Sequence, residues 1–350
     1  MMLSLIHTFL NLSAPPFTFF SLLLLLPPLY FLKLFTSLLS TIFSENVSGK
    51  VVLITGASSG IGEHLAYEYA RRGARLALVG RRENALREVV DRAAQCGSPD
   101  VIMIGADVSK AEDCKRLVDE TINHFGRLDH LVNNAGITAC CMLEDCTDIT
   151  NFRSVMDTNF WGSVYVTHFA APHLRDCKGR IVAISSVNAW LPVPRMGIYN
   201  ASKAAVLSMF ETLRVELGPE VYITIVTPGY IESEMNKGKY LSTEGRMTVD
   251  QEMRDVQVII PVERVEDCAN AIVNGVCRGQ RCLTEPAWYK AIYMWKVFCP
   301  ELLEWGYRFL YMARPGAPAK EAPGKKILDY TGVKNVLYPE SLHNPEIKTD

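Results

Sequence analysis

The chain has 350 residues, is 49% hydrophobic and 21% charged, and carries a formal net charge of −2. That length holds one large α/β domain with appendages, or at most two ordinary domains. A near-neutral balance with no long basic run excludes the usual grounds for a nucleic-acid partner.

From Met1 to Leu32 there is no charged side chain unless His7 protonates, and Lys33 stands alone until Glu45. Pro15-Pro16 and Pro27-Pro28 bracket an apolar run that includes Leu22 to Leu26. So large an apolar segment belongs in lipid rather than on a soluble surface. A cleaved secretory signal would need a basic start and a small-residue cleavage site. A simple transmembrane helix needs ~20 apolar residues and would have to absorb the prolines, which remove backbone hydrogen bonds and force a bend. The residues between the proline pairs reach only ~15 Å as helix at ~1.5 Å per residue. The favoured expectation is therefore a bent or hairpin anchor over residues 1–43, entering one leaflet of the endoplasmic reticulum or the monolayer of a lipid droplet. A linker follows at 44–49. It contains Asn46-Val47-Ser48, a glycosylation triplet of a kind that often arises by chance.

Charge and periodicity change near Gly49. Lys50 to Thr55 is a short β-branched run, as expected of a strand buried on both faces. Gly56-Ala57-Ser58-Ser59-Gly60-Ile61-Gly62 follows, and Glu63 to Arg72 reads as a helix. Strand, glycine turn and helix start in that order make a dinucleotide site, in which backbone amides approach pyrophosphate at the helix N-terminus. A purely structural turn is the alternative. Arg75 to Gly80 reads as the second strand. An NAD site usually ends this strand with a carboxylate for the ribose hydroxyls, whereas here Arg81 and Arg82 stand there. Guanidinium suits a 2′-phosphate, so the expected cofactor is NADP(H), with Arg81 as its ligand. The bland reading makes both arginines solvated helix-start residues. Val101 to Ala106, the helix Lys110 to Phe125 and the strand Leu128 to Val132 continue the alternation. Asp107 and Val108 then fall at the carboxyl edge of the third strand, and Asn133 at that of the fourth, where open parallel sheets bind ligands. Singly, Asp107 could be a helix-start carboxylate and Asn133 a turn residue.

A helix is expected to end near Asn159-Phe160. Arg180 to Ile184 is another buried strand, closing on Ser185-Ser186. Tyr199 and Lys203 lie four residues apart on a helix running to about Leu217, and so share one face. A strand from Tyr222 to Val226 leads into Pro228-Gly229, Ile231 and Ser233. Taken alone, Tyr199 could be a core tyrosine, Lys203 a solvated charge, Ser186 a strand-end cap and Asn159 a helix-terminus residue.

The glycine loop, Asn133-Asn134-Ala135-Gly136, Asn159, Ser186, Tyr199 with Lys203, and Pro228-Gly229 occur in the order and approximate spacing of the short-chain dehydrogenase/reductase family, which the chain resembles from Gly49 to Cys282. The resemblance implies a Rossmann-type doubly wound parallel sheet at 50–285. It also implies an enzyme acting on CH–OH groups, often as a homodimer. It assigns proton transfer to Tyr199, tuning of that phenol and ribose binding to Lys203, the substrate oxygen to Ser186 and a relay water to Asn159. Gly56, Ser58, Ser59, Gly60, Ile61, Gly62, Arg81, Asp107, Val108, Asn133 and Ile231 become cofactor-binding positions. A tyrosine of pKa ~10 is a poor base at neutral pH, so the expectation is that the ammonium and the nicotinamide charge make it more acidic.

The proline-bracketed start resembles, more narrowly, the 11β-hydroxysteroid dehydrogenases of plant oil bodies, the steroleosin group. That implies oxidation of 11β- or 17β-hydroxysteroids with NADP at a lipid surface, the catalytic domain facing the cytosol. A carbonyl reductase for retinal or acyl chains is the enzymatic alternative. A sterol-binding signalling protein of the droplet surface is the alternative from another class. Aromatics crowd residues 286–313, read as a helical extension that serves either core or dimer packing or as a substrate lid touching lipid. Residues 314–350 read as a loosely held tail. The ten cysteines show no zinc spacing, so no metal site is expected, and each reads as a small hydrophobe or a surface thiol in a reducing compartment.

Overall fold

A computed structural model describes residues 2–314, 316–343, 347 and 348, and the chain divides into two units, residues 1–45 and 46–350.

The first unit is one helix, α1 (Met2–Ile42), of 41 residues with Pro15, Pro16, Pro27 and Pro28 inside it. Its leucines and phenylalanines are exposed, Leu24 to 75% and Phe31 to 74%. A helix of that size extends ~60 Å at ~1.5 Å per residue, about twice a hydrocarbon core of ~30 Å. The backbone runs as one helix, not as the hairpin that is one of the two forms expected of the anchor. Four missing N–H donors leave most of the i→i−4 ladder in place, and both proline pairs stay helical. The segment is long and apolar enough to cross a membrane.

The second unit is built on β1 (Val51–Thr55), β2 (Arg75–Gly80), β3 (Val101–Gly105), β4 (His130–Asn133), β5 (Arg180–Ile184), β6 (Tyr222–Pro228) and β9 (Cys282–Glu285). These form one parallel sheet in the order β3-β2-β1-β4-β5-β6-β9. Every residue of β1 is buried, which explains its unbroken apolar run. Its side chains alternate between two cores. Val52 and Ile54 join Leu65, Val89 and Ile272 of α2 (Gly60–Arg71), α3 (Glu83–Gln95) and α9 (Val265–Cys277). Val51 and Leu53 join Leu117, Val166 and Phe210 of α4 (Ala111–Phe125), α6 (Gly162–Asp176) and α7 (Gly197–Glu216). The winding reverses at β1, which pairs with β2 on one side and β4 on the other. The crevice at the carboxyl ends of such strands is where ligands of open α/β sheets sit.

The helix expected to end near Phe160 does not end there. A short α5 (Arg153–Met156) runs through a π-helical turn, Asp157–Trp161, directly into α6. A small antiparallel pair, β7 (Lys239–Leu241) with β8 (Met247–Val249), precedes α8 (Gln251–Gln257). The aromatic extension is two helices, α10 (Tyr289–Phe298) and α11 (Pro300–Tyr311), separated where Pro300 cannot continue α10. The stretch read as a loose tail instead forms α12 (Pro323–Thr331), α13 (Lys334–Leu337) and α14 (Glu340–His343). Leu328, Tyr338 and Leu342 bury against Val258 and Val262, an apolar anchoring that the proline- and charge-rich composition hides. Residues 315, 344–346, 349 and 350 of that expectation lie outside the described residues.

Candidate active site

The loop after β1 is shaped by close approach. Gly56 has φ +65°, and a Cβ there would lie 2.7 Å from the Ala135 Cα. At Gly62 a Cβ would fall 2.4 Å from both the Gly56 carbonyl oxygen and the Asn134 Nδ2. Side chains at either position would push the loop off the sheet edge. Ser59, the N-cap of α2, makes no side-chain capping bond, so the first-turn amides remain oriented for an anion.

This loop forms one flank of a cavity of about 640 Å³ that runs along the crevice. Ser58, Ser59, Gly60 and Ile61 line it beside Arg81, Arg82, Asp107 and Val108, with Ser233 close to Gly60, and Ser186, Tyr199, Lys203 and Ile231 line the rest. The glycine cradle, the helix start and a guanidinium at the end of β2 together fit a dinucleotide. Asp107 also accepts from the Ser109 amide and hydroxyl at 3.1 and 2.9 Å, a helix-entry turn that leaves the residue on the cavity wall.

Two sequence expectations shift here. Of the two arginines, Arg82 rather than Arg81 is embedded in the site. It donates to the Ser59 and Ser58 hydroxyls at 2.7 and 3.3 Å and to Glu234 at 2.9 Å. Burial pushes the Glu234 carboxyl up, but Arg82 and Lys239 outweigh it and hold it below the usual carboxylate range. Asn133 turns its amide to the Thr167 hydroxyl at 2.8 Å, away from the cavity, whose wall is made by Asn134, Ala135 and Gly136. As the last residue of β4, Asn133 follows the strand's alternation toward α6. Asn134 instead ties the glycine loop down, donating to the carbonyls of Thr55 and Gly56 at 3.0 and 3.1 Å.

At the other end Tyr199 and Lys203 occupy the first two turns of α7, 6% and 4% exposed. The Lys203 ammonium donates to the Ile184 carbonyl at 3.0 Å and lies 5.9 Å from the centre of the Tyr199 ring. Ser185 holds this helix to β5 by donating to the Lys203 carbonyl at 2.7 Å. Ser186 accepts from the Asn188 amide at 3.1 Å, capping a 3₁₀ turn. Burial pushes the Tyr199 phenol up to about 12, with the Ser186 hydroxyl acting in the opposite direction. Burial alone brings Lys203 down to about 8. Burial therefore outweighs the protein's own groups at the phenol; the expected acidification combines the neighbouring ammonium with the nicotinamide charge.

Asn159 sits in the π-helical turn, 1% exposed. It accepts from the Ile137 amide at 2.8 Å and donates to the Ile137 carbonyl and the Ser202 hydroxyl, each at 2.9 Å. A Cβ on Gly136 would stand 3.3 Å from the Asn159 amide oxygen and 3.4 Å from the Lys203 ammonium. Asn159 thus binds the loop after β4 to α7, immediately behind the lysine.

Around Tyr199 the wall is apolar. Val187, Leu191, Val193, Met196 and Tyr289 are buried with it, and Tyr230, Met235, Ile260 and Tyr307 pack alongside. The Tyr289 ring lies so close to Gly229 that a Cβ there would be 2.1 Å from it. The aromatic extension has two faces: Tyr289 and Tyr311 are buried, while Trp295, Phe298, Trp305 and Phe309 are exposed by 52–71%. The sequence marks this stretch as aromatic without resolving its faces, and Glu234 carries no signal there. No cluster of three metal-ligating side chains occurs among the described residues, and no disulfide joins the described cysteines.

Comparison with known proteins agrees with this geometry. Residues 50–243 match the family model described as short chain dehydrogenase. The chain is 61% identical over 349 residues to the 11-beta-hydroxysteroid dehydrogenase A of Sesamum indicum, covering 99% of this chain and 100% of that one. It is 62% identical, with the same coverage, to the 11-beta-hydroxysteroid dehydrogenase 1A of Arabidopsis thaliana. Among solved structures, a short chain dehydrogenase/reductase from Burkholderia phymatum in complex with NAD is 27% identical with a TM-score of 0.65, covering 78% of this chain and 98% of that one. An alcohol dehydrogenase from Thermococcus sibiricus complexed with 5-hydroxy-NADP is 25% identical with a TM-score of 0.56, covering 68% and 95%. With a crevice at the sheet's reversal point and a tyrosine, lysine and serine converging at its end, the chain belongs to the short-chain dehydrogenase/reductase family, alongside plant proteins named 11-beta-hydroxysteroid dehydrogenases.

Proposed function

We propose that this protein is an NADP-dependent hydroxysteroid dehydrogenase, interconverting a hydroxyl and a ketone at the 11β or 17β position on a lipid-droplet or membrane surface. The observation that carries the reading is the convergence of Tyr199, Ser186 and Lys203 at one end of a cavity whose other end holds Arg82 against Ser58 and Ser59. The names of the plant relatives supply the steroid class, and the apolar wall around Tyr199 suits it.

When bound, the nicotinamide supplies or accepts the hydride at carbon. Gly56, Gly60, Ile61 and Gly62 would hold the pyrophosphate at the start of α2, with Asp107 and Val108 on the adenosine side and Ile231 on the nicotinamide side. Arg82 with the two serine hydroxyls binds the 2′-phosphate, as a planar guanidinium does well. In the reductive direction Ser186 donates to the substrate oxygen, and Tyr199 gives its proton to the alkoxide that forms there. In oxidation Tyr199 takes the hydroxyl proton as hydride leaves the carbon. Lys203 holds the ribose hydroxyls and keeps positive charge near the phenol. Asn159 ties the loop after β4 to Ser202, next to that lysine. The α1 helix anchors the protein in lipid. Purified protein incubated with hydroxysteroid and either NADP or NAD tests the reading: ketosteroid forms with preference for NADP, whereas a preference for NAD or no steroid turnover refutes it.

A further inference from the structure

The 2′-phosphate end of the cavity is touched by a segment far away in sequence. Arg82 Nη1 donates to the main-chain carbonyl of Lys348 at 3.0 Å, and the Lys348 amide donates to Glu234 at 3.1 Å. The Lys348 ammonium pairs with Glu63 at 3.0 Å and lies 3.9 Å from Glu88. Lys348 therefore lies across the guanidinium that the cofactor reading reserves for phosphate.

A donor count gives this contact a consequence. The two terminal nitrogens of a guanidinium carry four N–H groups. Nη1 of Arg82 serves Glu234 and the Lys348 carbonyl, and Nη2 serves Ser58 and Ser59. The serine hydroxyls can rotate and donate to an arriving phosphate. A carboxylate and a carbonyl are acceptors only and cannot. A phosphate can thus use the Nη1 edge of the fork only by displacing Glu234 or Lys348. Glu234 is held in addition by Lys239 at 3.0 Å, whereas Lys348 offers Arg82 only a neutral carbonyl, backed by one amide bond and a partly exposed ammonium pair.

We propose that the C-terminal tail at Lys348 is a specificity-determining element of the cofactor site: it mimics the 2′-phosphate's acceptor on Arg82 and is expelled when a 2′-phosphorylated nucleotide binds. The tail handicaps NADP(H) relative to NAD(H), which has no group to put there. An intramolecular competitor lowers apparent affinity by the fraction of molecules left open, so removing it strengthens NADPH binding about three- to tenfold.

The proposal rests on the NADP reading, and one set of titrations separates the two. The full chain, the chain truncated after residue 346 and Arg82→Ala are titrated with NADPH, NADH, 2′,5′-ADP and 5′-AMP. Truncation should tighten NADPH and 2′,5′-ADP and leave NADH and 5′-AMP unchanged. In the intact chain, amide hydrogen exchange of the C-terminal peptide should rise on adding NADPH but not NADH. Unchanged or weaker NADPH binding after truncation, or a tail more protected with NADPH, overturns the proposal and makes the tail inert or a clasp. If Arg82→Ala weakens NADPH no more than NADH, the NADP reading itself has failed.

Discussion

The Lys203 ammonium is hydrogen-bonded to the Ile184 main-chain carbonyl, 5.9 Å from the centre of the Tyr199 ring. The lysine is thus held by β5, at a fixed position behind the phenol, and no direct Lys203–Tyr199 hydrogen bond is needed to align the pair. Burial dominates both groups, raising one and lowering the other.

The lowered lysine makes a stability prediction. Burying the charged form is unfavourable, and the folded value of about 8 lies below the ordinary 10.5. Below about 8 both folded and unfolded chains carry the proton, and the folded state bears the full burial cost. Between the two values the unfolded chain holds more protons, so the Lys203 contribution becomes less unfavourable as pH rises. Lys203→Met should therefore raise the thermal midpoint below about pH 8, by the equivalent of ~1–3 kcal/mol, while turnover collapses. Melting curves of both proteins across pH check this; an unchanged or lower midpoint at neutral pH would contradict it.

The raised phenol separates the two reaction directions. Tyr199 at about 12 is protonated throughout the neutral range, as an acid for ketone reduction should be. Its base form becomes available only as pH rises. Oxidation of a hydroxysteroid should accelerate with pH across the neutral and mildly alkaline range, while reduction stays flat or falls as Lys203 loses its charge above about 8. Initial rates in both directions at saturating cofactor test the sign. Oxidation fastest in acid would be incompatible with Tyr199 as the base.

Cofactor choice should follow Arg82. Removing a charge-assisted hydrogen bond of this kind costs ~1.5–3 kcal/mol, so Arg82→Ala should raise the NADP KM roughly 10- to 100-fold and barely move the NAD value. Arg81, exposed at the cavity rim, should tolerate alanine far better. Equal losses for both cofactors would place the discrimination elsewhere.

Asn159 joins Ile137 to Ser202 through three hydrogen bonds. Asn159→Ala leaves the partly buried Ile137 amide and carbonyl without that partner, an expected loss of ~1–2 kcal/mol. Because the same bonds position the loop beside Lys203, kcat should fall more than KM changes. A variant that melts early yet keeps full kcat would limit Asn159 to structure.

The exposed faces of α10 and α11 offer a further test. Phe298 and Trp305 are 71% and 66% exposed, while Tyr289 on the same extension is buried against Gly229. Phe298→Ser with Trp305→Ser should reduce vesicle binding of protein lacking residues 1–43 and raise KM only for substrate delivered from lipid. Unchanged binding and kinetics would assign this face to protein packing.

Much of this site could be read from residue order. A strand buried on both faces, a glycine turn and an i, i+4 pair each translate directly into backbone geometry, so Tyr199, Lys203, Ser186 and the cradle fell where spacing put them. What escaped was decided by single-residue rotations and long-range contacts. Arg82 is the N-cap of α3, and which of two adjacent arginines turns inward depends on where that helix begins. Asn133 belongs to β4 rather than to the loop, so its side chain points to α6. The π-helical turn that carries Asn159 has no sequence period of its own. Lys348 meets Arg82 across 266 positions, a pairing that no local pattern encodes.

The central claim is proton transfer by Tyr199 on a hydroxysteroid, and the most direct measurement compares wild-type protein with Tyr199→Phe, following the absorbance of reduced nicotinamide with NADP and an 11β- or 17β-hydroxysteroid while cofactor binding is titrated separately. The account predicts ketosteroid from the wild type and a loss of ~10²–10⁴-fold or more in the variant, with NADPH bound as before. Turnover retained by the phenylalanine variant would contradict it.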